Sequence, residues 1–137
     1  MAAQATKEGI REMVDACFKD NAIPENKEVF LFSNDETIDI NTVDADLTEV
    51  TTNGGEKQTL TKGIWVAATD ADPVVIRYNG GTGVTFSFTG DLDVYGYAVR
   101  GVTSGTIYGA ENFSKQTYAN GLSLKLQPLD IDFGLTT

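Results

Sequence analysis

The sequence contains no histidine and a single cysteine, Cys17. Without histidine there is no Ser–His–Asp triad, no side-chain base that titrates near neutrality, and no imidazole metal ligand. One cysteine cannot form a tetrahedral cysteine zinc site or an internal disulfide. What remains for chemistry is carboxylates, hydroxyls and lysines. A non-enzymatic binding or structural protein is therefore the favoured class, and we expect no cofactor.

Basic residues are also scarce, with 10 Lys and Arg against 20 Asp and Glu and a net charge of −10. This balance disfavours nucleic acid and anionic membranes as partners, because both carry negative charge. No apolar run approaches the roughly 20 residues of a membrane-spanning helix. Residues 1–8 lack the basic and then apolar pattern of a secretory signal. We expect a protein made in the cytoplasm.

The amino-terminal part has the pattern of one short amphipathic helix over residues 6–20, with Thr6 as its N-cap. Such a helix is marginal alone, so its apolar face must pack either on its own β domain or on a neighbouring subunit. We divide the chain into an arm with this helix, residues 1–24, and one β domain, residues 25–137. The candidate interface residues on the apolar face are Ile10, Met13, Val14 and Phe18.

The rest of the chain is rich in β-formers separated by Gly and Asn turns. Residues 35–56 are polar and acidic and predict a long surface loop with at most one short strand. Asn120-Gly121 predicts a hairpin turn, and Gly96 predicts a bulge or a close backbone approach. The pattern indicates an all-β fold, an antiparallel sandwich or jelly-roll-like barrel, preceded by the short helix. The predicted strands span 29–32, 64–68, 74–78, 84–88, 94–99, 106–110, 122–126 and 129–133.

Four Asp-x-Asp pairs are the first candidate site: Asp44 and Asp46, Asp70 and Asp72, Asp91 and Asp93, and Asp130 and Asp132. Calcium accepts clustered carboxylates, but none of the pairs fits the EF-hand pattern, and solvated turn aspartates are the commoner interpretation. Asp91 and Asp93 would also share one face of a strand at about 7 Å, a spacing compatible with a glycosidase pair, although any acidic β-protein offers such pairs. We predict no metal site, with Asp70, Asp72, Asp91 and Asp93 as weak calcium candidates.

Aromatic residues are the second candidate site. They could form a sugar-stacking platform, although aromatic residues on alternating strands more often pack in a core or an interface. The platform candidates are Trp65, Tyr78, Tyr95, Tyr97 and Tyr108. Strand periodicity predicts that Trp65, Phe86, Phe88, Tyr97 and Leu124 are largely buried.

A series of short structural motifs extends over nearly the whole chain. The motifs are Val14-Asp15-Ala16-Cys17-Phe18, Leu31-Phe32-Ser33-Asn34-Asp35, Leu60-Thr61-Lys62-Gly63-Ile64-Trp65, Val94-Tyr95-Gly96-Tyr97, Ser104-Gly105, Glu111-Asn112-Phe113-Ser114 and Asn120-Gly121. Taken in this order, the motifs resemble a family of small virion proteins of tailed bacteriophages. The chain departs from the family in having Val50-Thr51 after Glu49, where Gly-Tyr is usual.

The resemblance implies a structural component of the virion, made in the host bacterial cytoplasm. The expected function is a capsid decoration (cement) protein that binds the outer shell and bridges capsid subunits. Its expected partners are the major capsid protein or another virion protein, and further copies of itself, with a trimer favoured. The alternative is a tail- or fibre-associated module that binds a receptor or glycan.

Overall fold

The computed structural model describes residues 2–6, 8–9, 25–61, 65–66 and 75–132. Over these residues the chain is all-β, and its main sheet is nearly closed and barrel-like. No helix in this part of the chain is long and apolar enough to cross a bilayer. Its strands are β1 (Ala2–Ala5), β2 (Lys27–Phe32), β3 (Gln58–Leu60), β4 (Trp65–Val66), β5 (Val75–Tyr78), β6 (Val84–Ser87), β7 (Leu92–Gly101), β8 (Ile107–Tyr118), β9 (Ser123–Leu126) and β10 (Asp130–Asp132).

The main sheet has eight strands in the order β3-β2-β7-β8-β1-β10-β5-β4, and β6 pairs with β9 in a second, two-stranded sheet. β1 runs parallel to β10 and antiparallel to β8. The sheet curls until its outer strands approach each other. The hydroxyl of Tyr78 on β5 accepts the backbone N–H of Thr61, just after β3, at 2.9 Å. Strands from opposite sides of the sheet thus enclose one core.

Alternation along the strands separates an inner from an outer core. Leu31 on β2 and its cross-strand partner Tyr97 on β7 belong to the inner core, together with Phe86 of the small sheet. Phe30 and Phe32 point to the other face of the sheet and form a separate outer core. A strand that buries both faces needs cover on each side, and the outer cover comes from the loop after β2.

All eight predicted strands overlap an observed strand, whereas β1 and β3 were not predicted. Ala2–Ala5 is too short to show a periodicity, and it becomes a strand because β8 and β10 flank it. The hairpin predicted at Asn120-Gly121 is wrong in its pairing. The turn is present, with the Leu122 N–H bonded to the Ala119 carbonyl at 3.1 Å. It leads, however, from β8 to a strand that pairs with β6 in the other sheet.

The prediction for Gly96 is confirmed. The register of β7 against β8 shifts between Val94 and Gly96, which marks a bulge. A Cβ at Gly96 would lie 2.2 Å from the Glu111 carbonyl oxygen and 2.3 Å from Phe32 Cζ. Only glycine lets the two strands and the Phe32 ring meet at this point.

The helix predicted over residues 6–20 lies mostly outside the described residues. Its proposed first residue is described: the Oγ1 of Thr6 accepts the N–H of Gly9 at 3.0 Å, which is the N-cap geometry predicted for it. Thr6 also donates to the carbonyl of Ile107 at the start of β8. The boundary predicted between the arm and the β domain, at residue 24, falls outside the described residues. β1 belongs to the predicted arm by its position in the sequence, and it is an interior strand of the main sheet.

The burial predictions are confirmed for three of the five side chains. Phe86 and Tyr97 are fully buried, and Phe88 is 2% exposed. Trp65 and Leu124 are only partly buried and pack at the margin of the inner core. β4 is the last strand in the order of the main sheet, so among the described residues Trp65 has a neighbouring strand on one side only.

Candidate functional site

The most elaborate surface feature is the loop of residues 33–48, which closes on itself at its neck. The backbone N–H of Ser33 donates to the carbonyl of Thr48 at 2.9 Å. The side-chain amide of Asn34 closes the same neck twice, because its Oδ1 accepts from Thr48 N–H and its Nδ2 donates to the Asp46 carbonyl. Compact loops whose ends meet in this way are frequently functional. We call residues 33–48 the neck-closed loop.

Hydrogen bonds within the loop fix its backbone. The Asp39 N–H donates to Thr42 Oγ1 at 2.9 Å, and the Thr42 N–H returns to the Asp39 carbonyl. The Asp46 carboxylate accepts the N–H of Val43 at 3.0 Å, and residues Asp44–Asp46 form one 3-10 turn. Side chains of Asp and Thr compete for backbone groups in this way in turns. The loop therefore has one defined conformation although it contains no strand.

The underside of the loop covers the outer core of the barrel. Leu47 and Ile38 pack on a cluster that contains Phe30 and Phe32 of β2. At the far side of the loop, the Asn112 side chain on β8 donates to the Glu36 carbonyl at 3.0 Å. The loop is thus attached to β2 and β8 by an apolar contact and a hydrogen bond.

Arg100 on β7 provides the electrostatic anchor. Its Nε and Nη2 donate to Oε1 of Glu28 at 2.9 and 2.7 Å. Glu28 lies on β2, directly opposite Arg100. Its Nη1 donates to Asp44 Oδ1 in the loop at 2.8 Å, and Nη2 lies 2.8 Å from Glu49 Oε1. One planar guanidinium has enough donors in fixed directions to hold three carboxylates at once. Arg100 thereby joins β2 and β7 to the carboxyl-terminal part of the loop at Asp44 and to Glu49 just after it.

The Arg100 site is substantially shielded from water. The Arg100 side chain is 11% exposed and that of Glu28 is 6% exposed. The guanidinium also lies over the Phe30 ring, 4.3 Å from its centroid. Burial alone would lower the pKa of Arg100, but its hydrogen bonds with Asp44, Glu28 and Glu49 outweigh this and raise the pKa above its usual value. Arg100 is charged at any working pH and acts as a structural anchor.

The outer surface of the loop carries acidic and aliphatic side chains. Ile40 and Val43 are 39% and 37% exposed, and Asp35, Asp39 and Asp46 are exposed around them. Residues 28–56 include eight acidic residues and no lysine or arginine. A rigid loop with two exposed aliphatic side chains in a negative surrounding is suited to contact a positively charged protein surface that has an apolar recess.

The predicted carboxylate sites take other roles in the structure. Asp91 and Asp93 are both exposed, and Asp93 accepts a hydrogen bond from Thr117 Oγ1 at 2.8 Å. Asp130 is buried and forms a two-pronged ion pair with Arg77, both contacts at 2.9 Å. Among the described residues, no group of three or more metal-ligating side chains is assembled. The calcium candidates Asp70 and Asp72 lie outside the described residues.

The candidate aromatic platform is not formed by the described side chains. Tyr78, Tyr97 and Tyr108 are buried in the inner core, and Tyr95 packs against the outer core. Trp65 meets the Tyr78 ring edge-to-face at 5.2 Å. These aromatic rings pack in the protein interior and at its margin, which is the commoner of the two roles considered for them.

A buried tyrosine and a carboxyl group meet between β7 and β8. The Tyr97 hydroxyl donates to Glu111 Oε2 at 2.9 Å. Burial, and then the Glu111 charge, raise the pKa of Tyr97 above its usual value. Burial also raises the pKa of Glu111, and the hydrogen bond from Tyr97 only partly opposes this effect. The pair therefore links the two longest strands at a cost in desolvation of the carboxylate.

The candidate interface residues Ile10, Met13, Val14 and Phe18 lie outside the described residues. The sequence matches no protein-family model and no curated protein. Sequence reasoning predicted a surface loop over residues 35–56 but missed Arg100 as the residue that anchors it. A signal was present, since Arg100 follows an apolar strand and is the only basic residue between Arg77 and Lys115 in an acidic chain.

Proposed function

We propose that this chain is a non-enzymatic structural protein of a bacteriophage virion, and specifically a capsid decoration protein. It binds the outer shell, contacts the major capsid protein and bridges neighbouring capsid subunits. The observation that carries the proposal is the neck-closed loop, which presents Ile40 and Val43 in a negative surrounding on a rigid barrel. The motif resemblance to small virion proteins supplies the biological setting.

The rigidity of the loop supports a binding role. A flexible loop loses conformational entropy when it binds, whereas a loop already held by its own hydrogen bonds loses much less. Here the neck, the 3-10 turn and the Arg100 contacts fix the backbone before any partner arrives. A protein that must remain attached to a shell gains affinity from such preorganisation.

Charge supports the choice of partner. Copies of a protein with a net charge of −10 repel one another in solution. A shell surface with basic residues would attract them, and the attraction would weaken as salt is added. We therefore expect the neck-closed loop to meet lysines and arginines on the outer face of the major capsid protein.

The proposal retains two finer expectations about architecture. One is the helix over residues 6–20, which the N-cap contact of Thr6 with Gly9 supports and whose apolar face would contact a neighbouring subunit. The other is a jelly-roll-like topology, for which the curled eight-stranded sheet and the separate β6–β9 sheet are suitable components. We retain a homo-oligomer, with a trimer favoured, as the state on the particle.

The location is tested on virions of the phage that encodes the protein. Antibodies raised against the purified chain should label the capsid surface in electron micrographs. Label confined to the tail would contradict the decoration role and favour the receptor- or glycan-binding alternative. Absence of the protein from washed virions would contradict both.

The binding surface is tested with capsids that lack the protein. Purified protein should cosediment with them, and raised salt should reduce the bound fraction. The double variant Ile40→Ala/Val43→Ala should bind at least about tenfold more weakly, since each methylene buried in a contact contributes about 0.8 kcal/mol and a tenfold change in affinity is about 1.4 kcal/mol. The matched control is Val102→Ala/Leu122→Ala, which removes two aliphatic side chains that are 48% and 51% exposed elsewhere. Equal loss in both variants would contradict a role for the loop.

A further inference from the structure

We propose that two copies of this chain pair through the outer end of β8, residues 114–118, in an antiparallel, two-fold contact. The inference does not depend on the capsid role, because it concerns the chain in solution as well as on a particle. It names a contact between copies that is separate from the trimer proposed above, since a two-fold edge contact yields dimers.

Among the described residues, the outer end of β8 is an open sheet edge. β8 pairs with β7 as far as Tyr118, but the register of β8 with β1 covers only Gly109 and Ala110. No strand among the described residues pairs with residues 114–118 on the side away from β7. An unpaired edge presents backbone donors and acceptors to another strand.

The side chains of this segment are exposed on both faces of the strand. Ser114, Lys115, Gln116 and Thr117 are all exposed, whereas Tyr118 at the end of the segment packs against the inner core. The carbonyl of Ser114 accepts the side-chain amide of Gln116 at 3.2 Å. The Gln116 side chain thus occupies the Ser114 carbonyl, a hydrogen-bond acceptor that a second strand could use.

The bulge in the β7–β8 ribbon limits where a second copy can pair. The register shift lies between the pairs Val94–Gln116 and Gly96–Asn112, so regular pairing resumes only toward the end of β8. A two-fold antiparallel contact must be centred on one position of this short stretch. Centring on Lys115 would place two ammonium groups opposite each other, which is unfavourable. Centring on Gln116 places Lys115 of one copy opposite Thr117 of the other.

The register centred on Gln116 also brings opposite charges together. Thr117 lies directly across the ribbon from Asp93 and donates to its Oδ1 at 2.8 Å. Lys115 of one copy would therefore lie two strand positions from Asp93 of the other, about 10 Å between Cα atoms. A lysine side chain can extend over the small Thr117 side chain to that carboxylate. The two-fold axis produces this contact twice.

This complementarity distinguishes the edge from the rest of the acidic surface. Lys115 is the only charged residue between Asn112 and Tyr118, and Lys115 and Asp93 are both exposed. Elsewhere, copies with a net charge of −10 would mostly bring carboxylates together. A lysine on an edge strand often discourages pairing, but here the proposed register gives that lysine a partner.

Sedimentation of the full-length chain tests the proposal. The paired segment is short, so we expect a weak dimer that forms between about 10 μM and about 1 mM. Lys115→Glu should weaken dimerisation by about tenfold or more, because two attractive contacts become repulsive. The exchanged variant Lys115→Glu/Asp93→Lys should recover most of the affinity. Lys125→Glu on β9 makes the same change in net charge at another exposed lysine and should leave dimerisation within about twofold of the unmodified chain.

Cysteine crosslinking tests the register independently. In a Cys17→Ser background, Gln116→Cys should form a disulfide-linked dimer under oxidising conditions, because the two copies of residue 116 face each other. Ser114→Cys should not, because its opposite position is residue 118, and the two thiols would be too far apart to bond.

Three results would overturn the proposal. The first is a chain that remains monomeric up to about 1 mM, the upper end of the concentration range in which the dimer is expected to form. The second is a dimer that Lys115→Glu and Lys125→Glu affect equally, which would indicate a net-charge effect. The third is crosslinking of Ser114→Cys as readily as Gln116→Cys, which would exclude the register centred on Gln116.

Discussion

Replacing Arg100 with methionine would remove the charge that holds the neck-closed loop on the sheet. Methionine retains much of the aliphatic volume of arginine, so the change acts mainly on the ion pairs. The most affected partner is Glu28, whose side chain is 6% exposed and accepts two hydrogen bonds from Arg100. Lys57, at 3.4 Å and half exposed, would be the cation remaining beside it.

The magnitude follows from the burial of this pair. Removing one member of a buried ion pair typically costs about 3–5 kcal/mol, because the other charge is left without compensation. Lys57 moderates the loss, so we expect a reduction near 3 kcal/mol in the free energy of unfolding. For a domain of this size that corresponds to a fall in Tm of roughly 10 °C.

The assay combines denaturant unfolding with hydrogen exchange. Arg100→Met should unfold at lower denaturant, and the amides of residues 33–48 should exchange faster, because Asp44 and Glu49 lose their common partner. The control Lys57→Met removes the exposed partner of the same Glu28 and should cost at most about 1 kcal/mol. Adding Glu28→Gln to Arg100→Met should recover part of the loss, since the uncompensated charge is then gone.

A clear result would refute this reasoning. If Arg100→Met melts within about 2 °C of the unmodified protein, the ion pairs of Arg100 contribute much less to the free energy of unfolding than the reduction expected above. If it melts much lower while loop exchange is unchanged, Arg100 supports the sheet but does not anchor the loop.

Three further changes test the core, the partly buried carboxyl group of Glu111 and the close approach of β7 to β8 at Gly96. Phe86→Ala should cost about 3–5 kcal/mol in unfolding free energy, because the ring is fully buried. Glu111→Gln tests pH dependence: the pKa of Glu111 is raised in the folded state, so the folded protein holds this proton more tightly than the unfolded chain. The stabilisation that this bound proton gives is complete below about pH 4.5 and is lost as pH rises through the folded-state pKa of Glu111. The Tm of Glu111→Gln minus the Tm of the unmodified protein should therefore increase from about pH 4 to about pH 7. Gly96→Ala should destabilise by several kcal/mol, about the cost of overpacking, because its Cβ would meet the Glu111 carbonyl oxygen at 2.2 Å. Gly80→Asn is its control, since nothing lies within 4 Å of a Cβ there and asparagine tolerates the φ of 60°. Thermal melts measure all four variants, and a Gly96→Ala protein as stable as the control would contradict the close approach.

The sequence determined the fold class and most of the strands through local physics. Alternation of Phe86 and Phe88 with polar neighbours identified a half-buried strand, and the apolar residues up to Val99 identified a central strand. Gly96 was interpretable for the same reason, since glycine inside such a strand marks a bulge or a close contact. These are short-range patterns, and they do not depend on which strands become neighbours.

Strand pairing was decided by the tertiary structure. The Asn120-Gly121 turn was readable, but β9 pairs with β6 in the second sheet, with Leu124 opposite Phe86. β1 is only four residues long, and its place between β8 and β10 depends on residues far away in the sequence.

The candidate site also required the tertiary structure. Glu28, Asp44, Glu49 and Arg100 are distant in sequence, and as separate letters they resemble the other charged residues of an acidic chain. They form one network because antiparallel pairing places Glu28 opposite Arg100 and the loop folds back over the outer face of the sheet. The sequence determined where the charges are, whereas the pairing of β2 with β7 determined which of them compensate one another, because buried ion pairs depend on distance in space.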